Sequence, residues 1–365
     1  MRWQVDSGVV VFEDSSRIRR TGYVDIDQLG MCRPAVDDQS YDCIKARNIG
    51  QVLRNFADAG AEQVVVSGIL DPGALALYLE ECGDILITFC RLTATVDTLA
   101  ARNVARGRSP EQVAQVLRHA EAMERSDYAH VRIDTDGRDV VDTARLVQEA
   151  VAQIHPSAPG EPPYQRLPAA GPTETLDVLL LCGAQATGKS SVGFALFLEL
   201  GNTGTPVAYL DLQQIGFLSP PPVDDAENRR LKAANLSAML VTFAEVGMRQ
   251  VIASGPVSTG DEVQRYRSAV APATLTVCRL HADLDALQAR FDERAQGKGP
   301  PLAGDDLVHR SQQARQGALA RAMADAKRLS AQPVEDFWID TTGRTLSECV
   351  DQVQEQLRLQ DASKQ

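Results

Sequence analysis

An apolar run, Leu176-Asp-Val-Leu-Leu-Leu-Cys182, stops at Gly183-Ala-Gln-Ala-Thr-Gly188-Lys189-Ser190. A short apolar run closed by glycine reads as a buried strand. Ser191 to Leu200 then continues as a helix, with Val192, Phe194, Leu196, Phe197 and Leu200 available to cover a sheet. The stretch between them matches G-x-x-x-x-G-K-S/T in the strand–loop–helix context that the pattern requires. Two glycines allow a tight turn whose N–H groups point inward, and the helix start adds partial positive charge. Gly183, Ala184, Gln185, Ala186, Thr187, Gly188, Lys189, Ser190 and Ser191 are therefore expected to cradle phosphates. Lys189 would reach the β- and γ-phosphates, and the Ser190 hydroxyl would ligate Mg2+. The expected ligand is a nucleoside triphosphate, taken as ATP.

The sequence also repeats itself. Tyr23-Val-Asp-Ile-Asp-Gln-Leu-Gly30 matches Tyr209-Leu-Asp-Leu-Gln-Gln-Ile-Gly216, and Ile44-Lys-Ala-Arg-Asn48 matches Leu231-Lys-Ala-Ala-Asn235. Val64-Val-Val-Ser-Gly68 matches Val251-Ile-Ala-Ser-Gly255, Cys90-Arg-Leu92 matches Cys278-Arg-Leu280, and Ile133-Asp-Thr-Asp-Gly-Arg138 matches Ile339-Asp-Thr-Thr-Gly-Arg344. Five blocks in one order predict a tandem pair. In each copy short apolar strands alternate with helical stretches such as Asp42–Ala59 and Asn228–Val246, which predicts βαβ units around a parallel sheet. The fold class expected is thus α/β: two tandem three-layer α/β/α domains, over residues 1–153 and 175–365. Residues 154–174 carry six of the chain's 18 prolines and no apolar periodicity, and should form a linker. The copies differ at the amino end. Gly183 precedes Asp211 by 211 − 183 = 28 residues, more than precede Asp25, so the first copy as given is expected to lack the first strand and its loop, through loss of the segment or a start downstream of the original one. Gly8-Val-Val-Val-Phe12 is expected to supply a substitute strand there. An intramolecular pseudo-dimer of an intact and a degenerate copy is expected.

Composition narrows the partners. A net charge of −12 disfavours nucleic acid, because phosphate backbones need a basic surface. No apolar run approaches the ~20 residues that span a bilayer. No secretion signal opens the sequence, and the seven cysteines show no C-x-x-C or zinc spacing, so a reduced, cytoplasmic protein is expected.

Asp211 ends the stretch Pro206-Val-Ala-Tyr-Leu-Asp, which places a carboxylate at the sheet edge where open α/β sheets bind ligands. It is a candidate to orient Mg2+ or take a hydroxyl proton. Gln213 stands where the first copy has Asp27. Lys232 and Asn235, three apart on one helix face, together with Gln214 and Ser254, are candidates to hold an acceptor. Arg290, Arg294 and Lys298 fall at i, i+4 and i+8 and suit a cationic lid over a phosphoryl group. Thr341, Thr342, Gly343 and Arg344 form a turn that suits backbone contact with a nucleotide base.

With these residues, the second copy resembles the P-loop small-molecule kinases, adenylylsulfate kinase most of all, from Leu176 to Leu357. The copies also resemble uncharacterised actinobacterial ATPase-like proteins that carry Y-V-D-I-D-Q-L-G-M-C. The resemblance implies Lys189 and Ser190 at phosphate and Mg2+, Asp211 between metal and acceptor, and Arg290 and Arg294 as lid, with Thr341 to Arg344 beside the base. Adenylylsulfate kinases carry D-G-D-N-V-R where this chain reads Asp211-Leu-Gln-Gln-Ile-Gly216, so their acceptor is not implied. The expected activity is transfer of the γ-phosphate of Mg-ATP to a hydroxyl of a small metabolite. The alternative is an ATP-binding switch or scaffold with slow hydrolysis.

Overall fold

The computed structural model describes residues 2–34, 41–154, 176–298, 307–308 and 310–364, so the expected linker lies, Ile154 apart, outside the described residues. The N-terminal half runs α1 (Arg2–Ser15), β1 (Thr21–Asp25), β2 (Cys32–Arg33), α2 (Tyr41–Asp58), β3 (Gln63–Ser67), α3 (Leu75–Cys82), β4 (Cys90–Thr93), α4 (Val96–Val104), α5 (Pro110–Glu124), β5 (Val131–Asp134) and α6 (Val140–Ala152). The C-terminal half runs β6 (Asp177–Cys182), α7 (Lys189–Asn202), β7 (Val207–Asp211), β8 (Phe217–Ser219), α8 (Arg229–Glu245), β9 (Gln250–Ser254), α9 (Gly260–Val270), β10 (Thr274–His281), α10 (Leu284–Ala295), α11 (Gln312–Ala331), β11 (Phe337–Asp340) and α12 (Leu346–Lys364).

The C-terminal half is an α/β unit around five parallel strands in the order β11-β10-β6-β9-β7. β6 lies at its middle, paired on both edges, which explains a strand that is apolar almost throughout. Its side chains alternate between two faces. Leu179 and Leu181 join Val192, Leu196 and Phe197 of α7 and Val350 and Val353 of α12. Val178, Leu180 and Cys182 join α8 and α9 on the opposite face.

Gly8–Phe12 is helical, inside α1, and not the substitute strand that its valines predict. Tertiary packing outweighs β-propensity here. Val11 is buried, Phe12 packs on Tyr23 and Phe217, and Gly8 lets the helix approach the sheet. A Cβ on Gly8 would sit 3.0 Å from Tyr23 Cε2, the same separation that a Cβ on Gly193 of α7 would have from Tyr209 Cε2. α1 thus lies on β1 and β3 as α7 lies on β7 and β9.

The halves exchange edge strands. β2 pairs antiparallel with β7 (Cys32↔Ala208, Arg33↔Val207), and β8 pairs antiparallel with β1 (Thr21↔Ser219, Gly22↔Leu218, Tyr23↔Phe217). Between them α2 packs on α8, with Asn55 Nδ2 donating to Asn235 Oδ1 at 2.9 Å and Arg47 paired with Glu245 at 3.2 Å. One hydrophobic cluster runs through both, from Ile44, Ile49, Val52 and Phe56 to Leu236, Met239, Leu240 and Phe243.

Hydrogen bonds recur at the matched positions. Asn48 Nδ2 donates to the Leu29 carbonyl and Asn235 Nδ2 to that of Ile215, each at 2.6 Å. Tyr23 meets Ser67 at 2.7 Å, and Tyr209 meets Ser254 at 2.9 Å. Lys45 reaches Asp27 at 2.6 Å, and Lys232 reaches Gln213 at 3.2 Å. Among the described residues, no helix is long and apolar enough to cross a membrane.

Candidate functional site

The loop between β6 and α7 is held in a conformation that its glycines permit. Gly183 has φ +139° and Gly188 φ +97°, values that side-chain-bearing residues rarely adopt. A Cβ on Gly183 would also meet the Leu280 carbonyl oxygen at 2.4 Å. Gly183→Ala is therefore expected to deform the loop and, if the loop holds phosphates as its sequence leads one to expect, to weaken Mg-ATP binding by at least roughly tenfold. Isothermal titration with Mg-ATP checks this, and the far-UV spectrum should be unchanged.

Three side chains converge at this loop. Lys189 Nζ donates to the Ala184 carbonyl at 2.7 Å, folded across the turn, and Thr187 Oγ1 closes the same turn on that carbonyl at 2.9 Å. Ser190 Oγ donates to Asp211 Oδ2 at 2.6 Å. Asp211 is buried, and it also accepts from Ser254 Oγ at 3.1 Å and, through Oδ1, from the Gln213 N–H at 2.8 Å. The Tyr209 hydroxyl lies 2.9 Å from Ser254 Oγ and 3.3 Å from the Ser190 carbonyl, bracing the Ser254 hydroxyl and the Ser190 backbone. Its role was not read from the sequence, although the repeated Tyr-x-Asp at Tyr23 was the available signal.

Arg290 lies beside the loop. Nη1 reaches the Ala186 carbonyl at 3.1 Å and Thr341 Oγ1 at 3.0 Å, and Nη2 reaches the Thr341 carbonyl at 2.7 Å. It therefore ties the middle of α10 to both the loop and the β11–α12 turn. Arg102 makes the same pair of contacts with Thr135, at 2.8 and 2.7 Å, where no phosphate loop is present among the described residues. The clamp therefore serves the fold in both halves, and only its reach to Ala186 is particular to the loop. Arg294 is half-buried on α10, and Lys298 is exposed beyond the end of that helix.

The turn expected beside a base is built on Asp340, whose Oδ1 accepts from the Thr342 N–H at 3.0 Å, and Gly343 has φ +65°. Thr341 is buried, with Oγ1 2.9 Å from the His281 carbonyl and 3.2 Å from that of Thr187. Thr342 Oγ1 accepts from the Asp283 N–H at 2.9 Å, and Arg344 Nη1 and Nη2 face the side chain of Gln352 on α12.

The four residues expected to hold an acceptor are all buried: Gln214, Lys232, Asn235 and Ser254. Lys232 donates to Gln213 Oε1 at 3.2 Å and to the Glu227 carbonyl at 2.9 Å, and burial pulls its ammonium pKa down. Asn235 holds the Ile215 carbonyl, and Ser254 holds Asp211. In this structure they shape the segment after β7. Helical spacing alone cannot separate a solvated face from one packed under a loop.

Asp25, which matches Asp211, has a different environment. Its Oδ1 accepts from the Asp27 N–H at 3.0 Å, and the Asp27 carboxylate lies close by. Burial, followed by the neighbouring Asp27 carboxylate, pushes its pKa from 3.8 up to about 6. Because the folded value lies above the unfolded one, the protonated form is the one that folding favours. The contribution is complete below about pH 4 and is lost as pH rises through about 6. Asp25→Asn should therefore flatten the fall in stability between pH 4 and 6 and stabilise the chain by ~1–3 kcal/mol at pH 7. Urea unfolding of both chains across that range measures the difference.

The oxygen pair Ser190 Oγ–Asp211 Oδ2 suits a hard cation such as Mg2+, which takes one or two protein oxygens and completes its shell with phosphates and water. Among the described residues, no group of three or more His, Cys, Asp or Glu side chains could hold a metal alone.

No family model matches the sequence, and no curated protein matches it. Solved structures similar over about half of the chain include a sugar kinase from Janibacter sp. HTCC2649 (15% identity, 50% of this chain and 95% of that one, TM-score 0.33). Others are shikimate kinase from Acinetobacter baumannii in complex with shikimate (17%, 52% and 96%, TM-score 0.33) and APS kinase from Mycobacterium tuberculosis in complex with AMPPNP and APS (17%, 51% and 99%, TM-score 0.32). At these scores the likeness assigns neither substrate nor mechanism.

Proposed function

We propose that the C-terminal half binds Mg-ATP and transfers its γ-phosphate to a hydroxyl of a small metabolite. The observation that carries this reading is the 2.6 Å contact of Ser190 with Asp211 beside the glycine loop and Lys189. The loop N–H groups and the start of α7 hold the phosphate chain. Lys189 leaves the Ala184 carbonyl and neutralises the β- and γ-oxygens. Mg2+, when bound at Ser190 and Asp211, would supply further neutralisation of the phosphate charge. Asp211 already accepts from two hydroxyls and one N–H, which suits it to hold the metal shell and orient the acceptor. Arg290 and Arg294 lie on α10 alongside, where added positive charge favours the transferring group.

The two halves read as tandem copies, the first without its phosphate loop, assembled as an internal pseudo-dimer. The matched hydrogen bonds and the reciprocal exchange of β2 and β8 support this reading. One chain of contacts favours a second reading, a nucleotide switch. Asp211 binds the Gln213 N–H, Gln213 binds Lys232, and α8 meets the N-terminal half through Asn235 and Asn55. Labelled Mg-ATP incubated with fractions of a small-molecule extract separates the two. A labelled metabolite supports transfer, whereas slow release of phosphate with every fraction supports the switch.

A further inference from the structure

In chain order the sequence blocks match β1, β3, β4 and β5 with β7, β9, β10 and β11. β6, which lies between β10 and β9, has no counterpart, and the N-terminal strands are divided at that place. Among the described residues β3 pairs only with β1, and β4 only with β5.

The division has the features of an open slot. β10 is eight residues long because β6 pairs with Thr274–Arg279 and β11 with Cys278–His281. β4 is a strand only where β5 pairs with it, and among the described residues the N–H groups of Leu86, Ile87 and Thr88 just before it have no backbone acceptor. β9 is buried from Val251 to Ser254, whereas Val66 of β3 is 40% exposed and Leu86, just before β4, is 51% exposed. The surroundings of a loop are also in place. α1 lies where α7 does relative to its sheet, and Arg102 grips Thr135 as Arg290 grips Thr341.

We propose that the gap between β3 and β4 is a binding slot for an extended apolar strand that leads into a glycine-rich phosphate loop. The occupant has the chemistry of Asp177–Ser190 and lies parallel to both strands, its strand filling the gap and its loop taking the place of the first turn of α1, near the Arg102–Thr135 clamp. The argument for this occupant is that β6 fills the matching place, in register with both β9 and β10. The Pro-rich stretch 155–175 does not fit, because proline lacks the N–H that a central strand donates. Filled in this way, the N-terminal half becomes a second nucleoside-triphosphate site; this last step rests on the phosphate-loop reading of the C-terminal half, whereas the slot itself does not.

The test adds a peptide with the sequence of Glu174–Gly183, the strand portion that ends before the position of α1, or a scrambled one, to the full chain and follows amide exchange. The peptide should slow exchange at both Val64–Ser67 and Leu86–Thr93 at least about tenfold, with no effect of the scrambled sequence. Protection of neither or only one edge, or edges already protected without peptide, overturns the slot. A second chain carries residues 174–191 in place of residues 1–6, the join that superposes Gly193 on Gly8, together with Lys189→Ala in the original loop. Titration with Mg-ATP should find one site in it. Absence of that site with both edges protected overturns the second nucleotide site and leaves the slot. If the same graft without Lys189→Ala also binds no ATP, the fault lies in the reading of the C-terminal half.

Discussion

Lys189→Ala is expected to reduce phosphoryl transfer or ATP turnover by about 10²–10³-fold, the usual effect of removing a charge that meets the transferring phosphates. Its ammonium bonds the Ala184 carbonyl across the loop, and α7 starts at this residue on the normal pattern of helix hydrogen bonds. The fold should therefore survive the substitution, and a Tm within a few degrees of the original would confirm it. Mg-ATP titration and labelled phosphate release measure the loss. Unchanged binding and turnover would remove the proposed activity at its centre.

Separating the halves should have a larger effect on stability. In residues 176–365 alone, β7 loses its outer strand, β8 loses the strand it pairs with, and the side of α8 that faces α2 meets water. Exposure of four or five large side chains of the shared cluster costs roughly 10 kcal/mol by area, comparable to the stability of a whole domain. An open strand edge also promotes association. The isolated half should aggregate or fail to give a cooperative melt, and co-expression with residues 1–154 should restore it. In the intact chain, a single cut within residues 155–175 should leave both pieces together on gel filtration. A monomeric 176–365 fragment that melts at the temperature of the whole chain would contradict this.

The loop was legible because its geometry is dictated locally. Glycine at 183 and 188, the lysine and serine that follow, and a buried strand before them leave few other conformations. The alternation of strands and helices was legible for the same reason, since β6, β7 and β9 carry continuous apolar runs and α2 and α8 fall within a residue or two of the expected spans. Gly8–Phe12 was misread because three valines favour a strand only where a neighbour supplies hydrogen bonds. Among the described residues no strand offers it such a partner, and the segment forms a helix that buries Val11.

Lys232 and Asn235 mark the boundary between the two kinds of knowledge. The sequence determined that they share a helix face and recur as Lys45 and Asn48, because spacing and repetition are properties of the chain alone. Tertiary structure decided that this face lies under the segment after β7, where amide and ammonium groups satisfy carbonyls that would otherwise be buried unpaired. The sequence likewise determined that five blocks recur in one order in its two halves. Only the packed structure decided that each lends the other an edge strand, because strand pairing between distant segments depends on which edges folding brings within hydrogen-bond reach.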